Sequence, residues 1–540
     1  MIAWPQHLIV LPILIPLIAG AGLLFIPDRQ RSVKAMVSLA ATIALGAVSL
    51  LLMAASGESR FGAVYLVGNW AAPFGIVLVL DRLSALMVVL TALLAVPVLS
   101  FALARWHSAG AHFHSLYQFL LMGLNGAFLT GDLFNLFVFF EVMLAASYGL
   151  ILHGSGPLRV KAGMHYIAIN LAAALLFLIG VSLIYGTTGT LNMADLAERL
   201  PTIEPDRRLL MEAGAAVLGV AFLVKAGMWP LCFWLPSAYS VAAAPVAAIL
   251  TLMSKVGIYI IIRLTLLLFA EGPSAGFGSG VLLYGGLATL AFGTIGVLAS
   301  QALGRIGAYS VLVSSGTLLA ITGLHDEAAT SGALLYLLSS TLTLGAFFML
   351  VELVERGQDA GASVLAVTME LYGDADNEVP EEGQGTTMPA TLAVLGICFA
   401  SCAILLSGLP PLSGFVAKFV MLSALIGTGS VGSSPTGGAL IFVTLVILGG
   451  LATLIALTRA GIRAFWSSIE GTVPRVLVME IVPIMLLLTI TATLTVKAGP
   501  ALAYADAAVR SIVDPGIYIK AVQGVAPQKS RRDHTAAPGE

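Results

Sequence analysis

Apolar residues run along this chain in blocks of about twenty, parted by short polar turns, almost continuously from residue 5 to residue 498. A helix rising 1.5 Å per residue needs about that many to cross a hydrocarbon layer about 30 Å thick. The blocks predict about fourteen membrane helices, over 5–26, 33–55, 76–103, 113–131, 133–152, 161–185, 209–231, 240–266, 279–300, 305–323, 330–354, 389–426, 438–460 and 474–498. The fold class that follows is an all-α membrane protein.

Two of these blocks are interrupted. In the seventh, Lys225 is followed within eleven residues by Pro230 and Pro236; in the twelfth, too long for one crossing, Pro410 and Pro411 precede Lys418. Proline removes a backbone donor that hydrocarbon cannot replace, so such breaks belong where the helix is enclosed by protein or lines a hydrated path. Spans seven and twelve are five apart and therefore cross in opposite directions. That pattern predicts two inverted five-helix repeats with discontinuous helices 7 and 12. The chain then divides into helices 1–3 (1–112), a first repeat of helices 4–8 (113–268), a second of helices 9–13 (269–465), and helix 14 with a disordered tail (466–540). An acidic, Gly-rich stretch at 356–387 reads as a flexible solvent loop inside the second repeat.

Composition narrows the partners. Of 540 residues, 59% are hydrophobic and only 10% charged, against roughly 25% charged in soluble domains, and the mean hydropathy is +0.99. The bilayer is the first partner. A net charge of −2 gives no reason to expect a nucleic acid. The three cysteines form no CxxC pair, and neither a haem, iron–sulfur, Walker nor Rossmann pattern is legible, so neither cofactor nor metal is expected. Arg29, Arg31, Lys34, Arg159, Lys161, Arg459, Arg463 and Arg475 fall in loops on one side. The positive-inside rule makes that side cytoplasmic and puts both termini outside.

Four ionisable residues stand well inside predicted spans: Glu141, Lys225, Lys255 and Lys418. Each taken singly reads equally well as an anchor that snorkels or binds a neighbouring helix. Four in one chain, on separate helices, point to a proton path. An isolated lysine in a low-dielectric interior tends to lose its proton, and a carboxyl to gain one. Bringing the two to about 4 Å opposes both tendencies with roughly 4 kcal/mol at an effective dielectric of about 20. Moving such a pair apart is therefore a way to drive a proton on. Asp81 and Arg82 read as interfacial anchors, and His107, His112 and His114 as a surface loop whose spacing only hints at a metal.

At these residues the chain resembles a known family, the antiporter-like subunits shared by proton-pumping NADH:quinone oxidoreductase and Mrp-type multisubunit cation/proton antiporters. The resemblance rests on the run from Thr130 through Glu141 to Gly154, on Thr187 to Ala197, on Ser407 to Phe415, and on Lys225 and Lys255 with their neighbours. It implies a fourteen-helix fold with two inverted repeats. It implies too that Glu141 pairs with Lys225, and that Lys255 links that half to Lys418. As partners it implies protons, a monovalent cation (Na⁺, or K⁺ in some systems), and the other subunits of an Mrp-type complex, without which the chain is inactive. On that reading the chain is a transporter subunit and not an enzyme. The alternatives are a pump subunit of a complex I-type oxidoreductase, or a scaffold beside a partner's ion path. Two departures stand out: Cys232 replaces a common histidine, and the stretch from Tyr336 to Leu344 lacks the histidine and lysine of many relatives.

Overall fold

The computed structural model describes residues 7–58, 62–372, 390–427, 436–465 and 476–525, with the side chains of 58 and 357–372 excepted. The early helices are α1 (Leu11–Phe25), α2 (Arg31–Glu58), α3 (Arg82–Ala104), α4 (Phe113–Leu129), α5 (Leu133–Ile151), α6 (Pro157–Thr188) and the short α7 (Met193–Arg199). Then come α8 (Pro205–Ala226), α9 (Trp234–Val241), α10 (Ala244–Leu268), α11 (Ser279–Ala299), α12 (Leu303–Leu324) and α13 (Glu327–Tyr372). The last are α14 (Ala390–Ser407), α15 (Ser413–Gly427), α16 (Gly437–Phe465), α17 (Val478–Val496), α18 (Ala498–Val513) and α19 (Pro515–Gln523). Twelve of these are long and apolar enough to cross a membrane, and the shorter apolar α1 and α15 complement them.

Burial sorts the helices into an inner row and a sheath. All of the most apolar stretch of α10 is buried, and 94% of those of α12 and α13, against 28% for α2 and α17. The sheath helices expose Leu, Ile, Val and Phe, as a lipid-facing surface must. Polar residues enclosed by the inner row are therefore shut off from both water and lipid.

Both expected helix breaks are present. Helix α8 ends at Gly227, in the left-handed region at φ 75°, and the chain turns through Pro230 before α9 begins. The twelfth block is two helices, α14 and α15, parted by Gly408 at φ 77° and by Pro410 and Pro411. In both places a glycine supplies a backbone conformation that side chains disfavour.

Four expectations need correction. Span three does not begin as a helix: the β-branched, alternating Val77–Leu80 is a strand, paired antiparallel with Ala63–Leu66. Helix α13 runs to Tyr372, well into the stretch read as a loop, because Ala, Leu, Met and Glu favour helix and the next proline is Pro380. The remainder of that loop, and Arg475, lie outside the described residues. Beyond helix 14, residues 498–523 form α18 and α19, whose apolar sides (Ala505, Val509, Ile512, Tyr518) are buried; the tail from 526 lies outside the described residues. Finally, Asp81 is no interfacial anchor. It caps α3 through Ser84 and is 1% exposed, and its carboxylate meets Arg263 at 2.8 Å, an ion pair closed from solvent on both sides.

The two longest motif runs meet at one end of the bundle. Asp132 caps α5, Asn192 caps α7, and the two residues form a β-bridge flanked by bonds from Leu133 to Leu191 and from Met193 to Gly131. These residues clasp two connections together and lie apart from the buried lysines.

Candidate functional site

Lys225 occupies the last turn of α8 and is 1% exposed. Its ammonium donates to Asn170 Oδ1 on α6 at 2.8 Å and stands over the rings of Phe140 (5.3 Å) and Tyr166 (5.6 Å). Asn170 is itself held by a bond from its amide to the Tyr166 carbonyl, so its oxygen stays aimed at the lysine. A cation between two ring faces and an amide oxygen keeps favourable contacts without a counterion.

Glu141 does not make the expected ion pair with Lys225; its half-buried side chain leaves Oε1 without a hydrogen-bond partner. The cause lies in helix geometry. Phe140 faces Lys225, and its neighbour Glu141 points about 100° away around α5. The two side chains influence one another electrostatically without forming an ion pair of 4 Å or less.

Lys255, in the middle of α10, is fully buried. Its nitrogen donates to Ser314 Oγ on α12 at 2.7 Å, and Ser314 in turn bonds Ser340 on α13 at 3.0 Å. Gly257 makes the neighbouring crossing possible: a Cβ there would lie 2.7 Å from the Phe222 carbonyl and 3.3 Å from Lys225 Cβ. Helix α10 therefore rests directly on the lysine-bearing turn of α8. No side-chain hydrogen bond joins Lys225 to Lys255 among the described residues.

Lys418 on α15 reaches back over the break. Its ammonium donates to the Ser407 carbonyl at 2.9 Å and to that of Leu406 at 3.4 Å, both in the last turn of α14. Unpaired carbonyls at a helix C-terminus carry partial negative charge, which suits a cation. Gly408 leaves the space it occupies, and Gly450 leaves room for the Ser407 carbonyl that it meets.

Between the second and third lysines lies a cavity of about 10 Å³, room for one water. Ser314, Ser339 and Ser340 line it, together with Leu406 and Gly414. Ser339 bonds Ser413, at the start of α15, at 2.8 Å. From Lys255 to Lys418 the route thus reads ammonium, hydroxyl, hydroxyl, one water's space, then the carbonyl-bearing end of α14. Asn170 and Ser314 are the residues that the sequence pattern did not single out; Ser339 and Ser340 lie in the Tyr336–Leu344 stretch, and Ser413 in the Ser407–Phe415 run.

A second cavity, of 490 Å³, opens among the turns that carry the basic loop residues and is walled by Arg105, Arg159, Glu352, Glu355 and Arg356. Its wall includes Ala244 and Ala247, about three and two turns along α10 from Lys255. Pro230, Pro236, Pro410 and Pro411 all lie at or beside the breaks, while Cys232 is buried there as a free thiol.

Buried lysines beside two broken, oppositely placed helices define a multi-pass membrane protein of antiporter-like fold. The chain belongs to the NADH:quinone oxidoreductase/Mrp antiporter transmembrane family, whose sequence profile matches residues 130–449. It is 60% identical over 520 residues to a probable K⁺/H⁺ antiporter subunit of Rhizobium meliloti, covering 95% of this chain and 96% of that one. It is 35% identical to a Na⁺/H⁺ antiporter subunit of Alkalihalophilus pseudofirmus, over 96% and 99% of the two. Among solved structures, a chain of the Mrp complex from Dietzia sp. DQ12-45-1b superposes with a TM-score of 0.80 at 26% identity, covering 97% of this chain and all of that one. A chain of respiratory complex I from Thermus thermophilus shares the fold at 21% identity and a TM-score of 0.71, over 93% of this chain and 99% of that one.

Proposed function

We propose that this chain is the proton-translocating subunit of a multisubunit monovalent cation/proton antiporter in the bacterial inner membrane, with both termini on the periplasmic side. Protons pass along Glu141, Lys225, Lys255 and Lys418, and the hydroxyls of Ser314 and Ser340 carry them between the last two. The observation that supports this best is the chain of donors and acceptors from Lys255 to Ser340, parted from the end of α14 by space for one water and lying in the most buried part of the bundle. A hydroxyl both donates and accepts, so it passes a proton on without holding a charge. The cavity walled by Glu352 and Glu355 is the entrance on the cytoplasmic side.

The relatives' names favour an antiporter over a quinone-linked pump, since the respiratory complex I match is at the level of fold alone. They divide between K⁺ and Na⁺, and the 60% relative makes K⁺ the first ion to test. The experiment is transport in inverted vesicles carrying the whole set of subunits, with Na⁺, K⁺ and Li⁺ added across a pH series. Lys225→Ala is expected to abolish cation-driven pH change while the complex assembles normally. Intact transport in Lys225→Ala, Glu141→Ala and Lys418→Ala would instead establish the chain as a scaffold.

A further inference from the structure

A third cavity, of 230 Å³, lies far from the lysines, where the turn between α1 and α2 meets the turn between α3 and α4. Its wall carries Arg31, Lys34, His107 and His114, with Asp28 the one carboxylate. Asp28 is already satisfied by the Lys34 ammonium at 2.6 Å, which leaves the surplus charge positive. Helix α4 starts here with no side chain capping it, since its N-cap His112 makes no such bond. The first-turn amides therefore point their N–H groups and the positive helix end at the cavity.

The second observation is independent of the helix end. His114 is 4% exposed and Ser115 1% exposed, yet neither ring nitrogen of His114 nor Ser115 Oγ has a hydrogen-bond partner. Buried polar groups left dry and unpaired are costly, so a ligand that pairs them gains by doing so. A metal does not explain them, because among the described residues no three His, Cys, Asp or Glu side chains are grouped to hold one, and Arg31 and Lys34 would repel it. An anion with several acceptor oxygens accounts for the Ser115 hydroxyl and for the one N–H of a neutral His114 ring.

We propose that this cavity binds the phosphate of an anionic phospholipid. The phosphate oxygens take the α4 amides, His114, Ser115 and the Arg31 guanidinium. The acyl chains lie along the outer faces of α1 and α2, where Leu24, Phe25, Met36 and Val37 are exposed. The helix ends that form the cavity are where headgroups sit, and basic pockets between spanning helices are a usual home for them. His107, which burial and then the neighbouring Arg31 hold below the ordinary histidine value, offers the headgroup a neutral ring.

The test uses the intact complex, purified in detergent and delipidated, with phosphatidylglycerol, phosphatidylcholine or inorganic phosphate added back. Lipid retention by native mass spectrometry and the shift in melting temperature are the readouts. The wild type is expected to prefer phosphatidylglycerol to phosphatidylcholine. Arg31→Gln, a surface change that leaves the packing alone, is expected to weaken that binding about fivefold, the worth of one basic residue near an anionic headgroup. His114→Phe, which removes the buried donor, should weaken it further. Stabilisation by inorganic phosphate with no lipid preference, lost in the same variants, assigns the cavity to free phosphate and overturns the lipid. Equal binding of every ligand by wild type, Arg31→Gln and His114→Phe overturns the site altogether.

Discussion

At the scale of single residues, what distinguishes the lysines is what each ammonium touches: an amide oxygen for Lys225, a serine for Lys255, two backbone carbonyls for Lys418. None is paired with a carboxylate within ion-pair distance among the described residues. If Ser314 and Ser340 relay protons, Ser314→Ala should slow cation-driven proton uptake at least tenfold in vesicles while assembly and melting temperature stay unchanged. Ser314→Thr, which keeps the hydroxyl, should retain most of the rate; equal rates in both variants would remove the serines from the path. The charged members were legible in the sequence because an ionisable side chain in an apolar run is conspicuous. Ser314 was not. Serines and threonines in membrane helices commonly bond the carbonyl one turn back, as Thr317 does to Val313 and Thr341 to Leu337. Sequence cannot separate those from Ser314, whose partner lies on another helix. Asn170 was hidden likewise, as one amide amid packing residues.

At the scale of elements, each break sets a lysine in place. Gly408 has a left-handed backbone, and a Cβ on it would fall 2.6 Å from Lys418 Cδ. Gly408→Ala is therefore expected to push the ammonium off the α14 carbonyls and cut transport at least tenfold. Gly396→Ala serves as control, since open space surrounds that position; it should transport as the wild type does. The prolines and their order around the lysines made these breaks readable in advance. The short hairpin and the two closing helices were not readable, because a length rule tuned to about twenty apolar residues overlooks strands of four residues and helices of sixteen and nine. The expectation that Glu141 meets Lys225 came from resemblance, and the turn of α5 at Phe140 accounts for the difference.

At the scale of the molecule, the Asp81–Arg263 pair fastens the start of α3 to the inner helix α10, and the Arg263 guanidinium also lies over the ring of Tyr518 in α19. A buried pair contributes little net stability, yet losing one partner strands the other charge. Asp81→Ala is expected to destabilise the chain by about 3–5 kcal/mol, seen as a lower melting temperature and poor incorporation into the complex. Asp81→Leu combined with Arg263→Met should recover much of the loss. Recovery failing entirely would mean that the pair does more than hold these three elements. Arg263 lies in an apolar span and was passed over in the sequence, because its partner is 182 positions away.

The grip on Lys418 has a practical corollary. Its acceptors belong to the main chain, so no single amino-acid replacement at Leu406 or Ser407 deletes them. A scan of side chains at Leu406 and Ser407 would return few hits and make those two positions look dispensable, while amide-to-ester replacement there would uncover them.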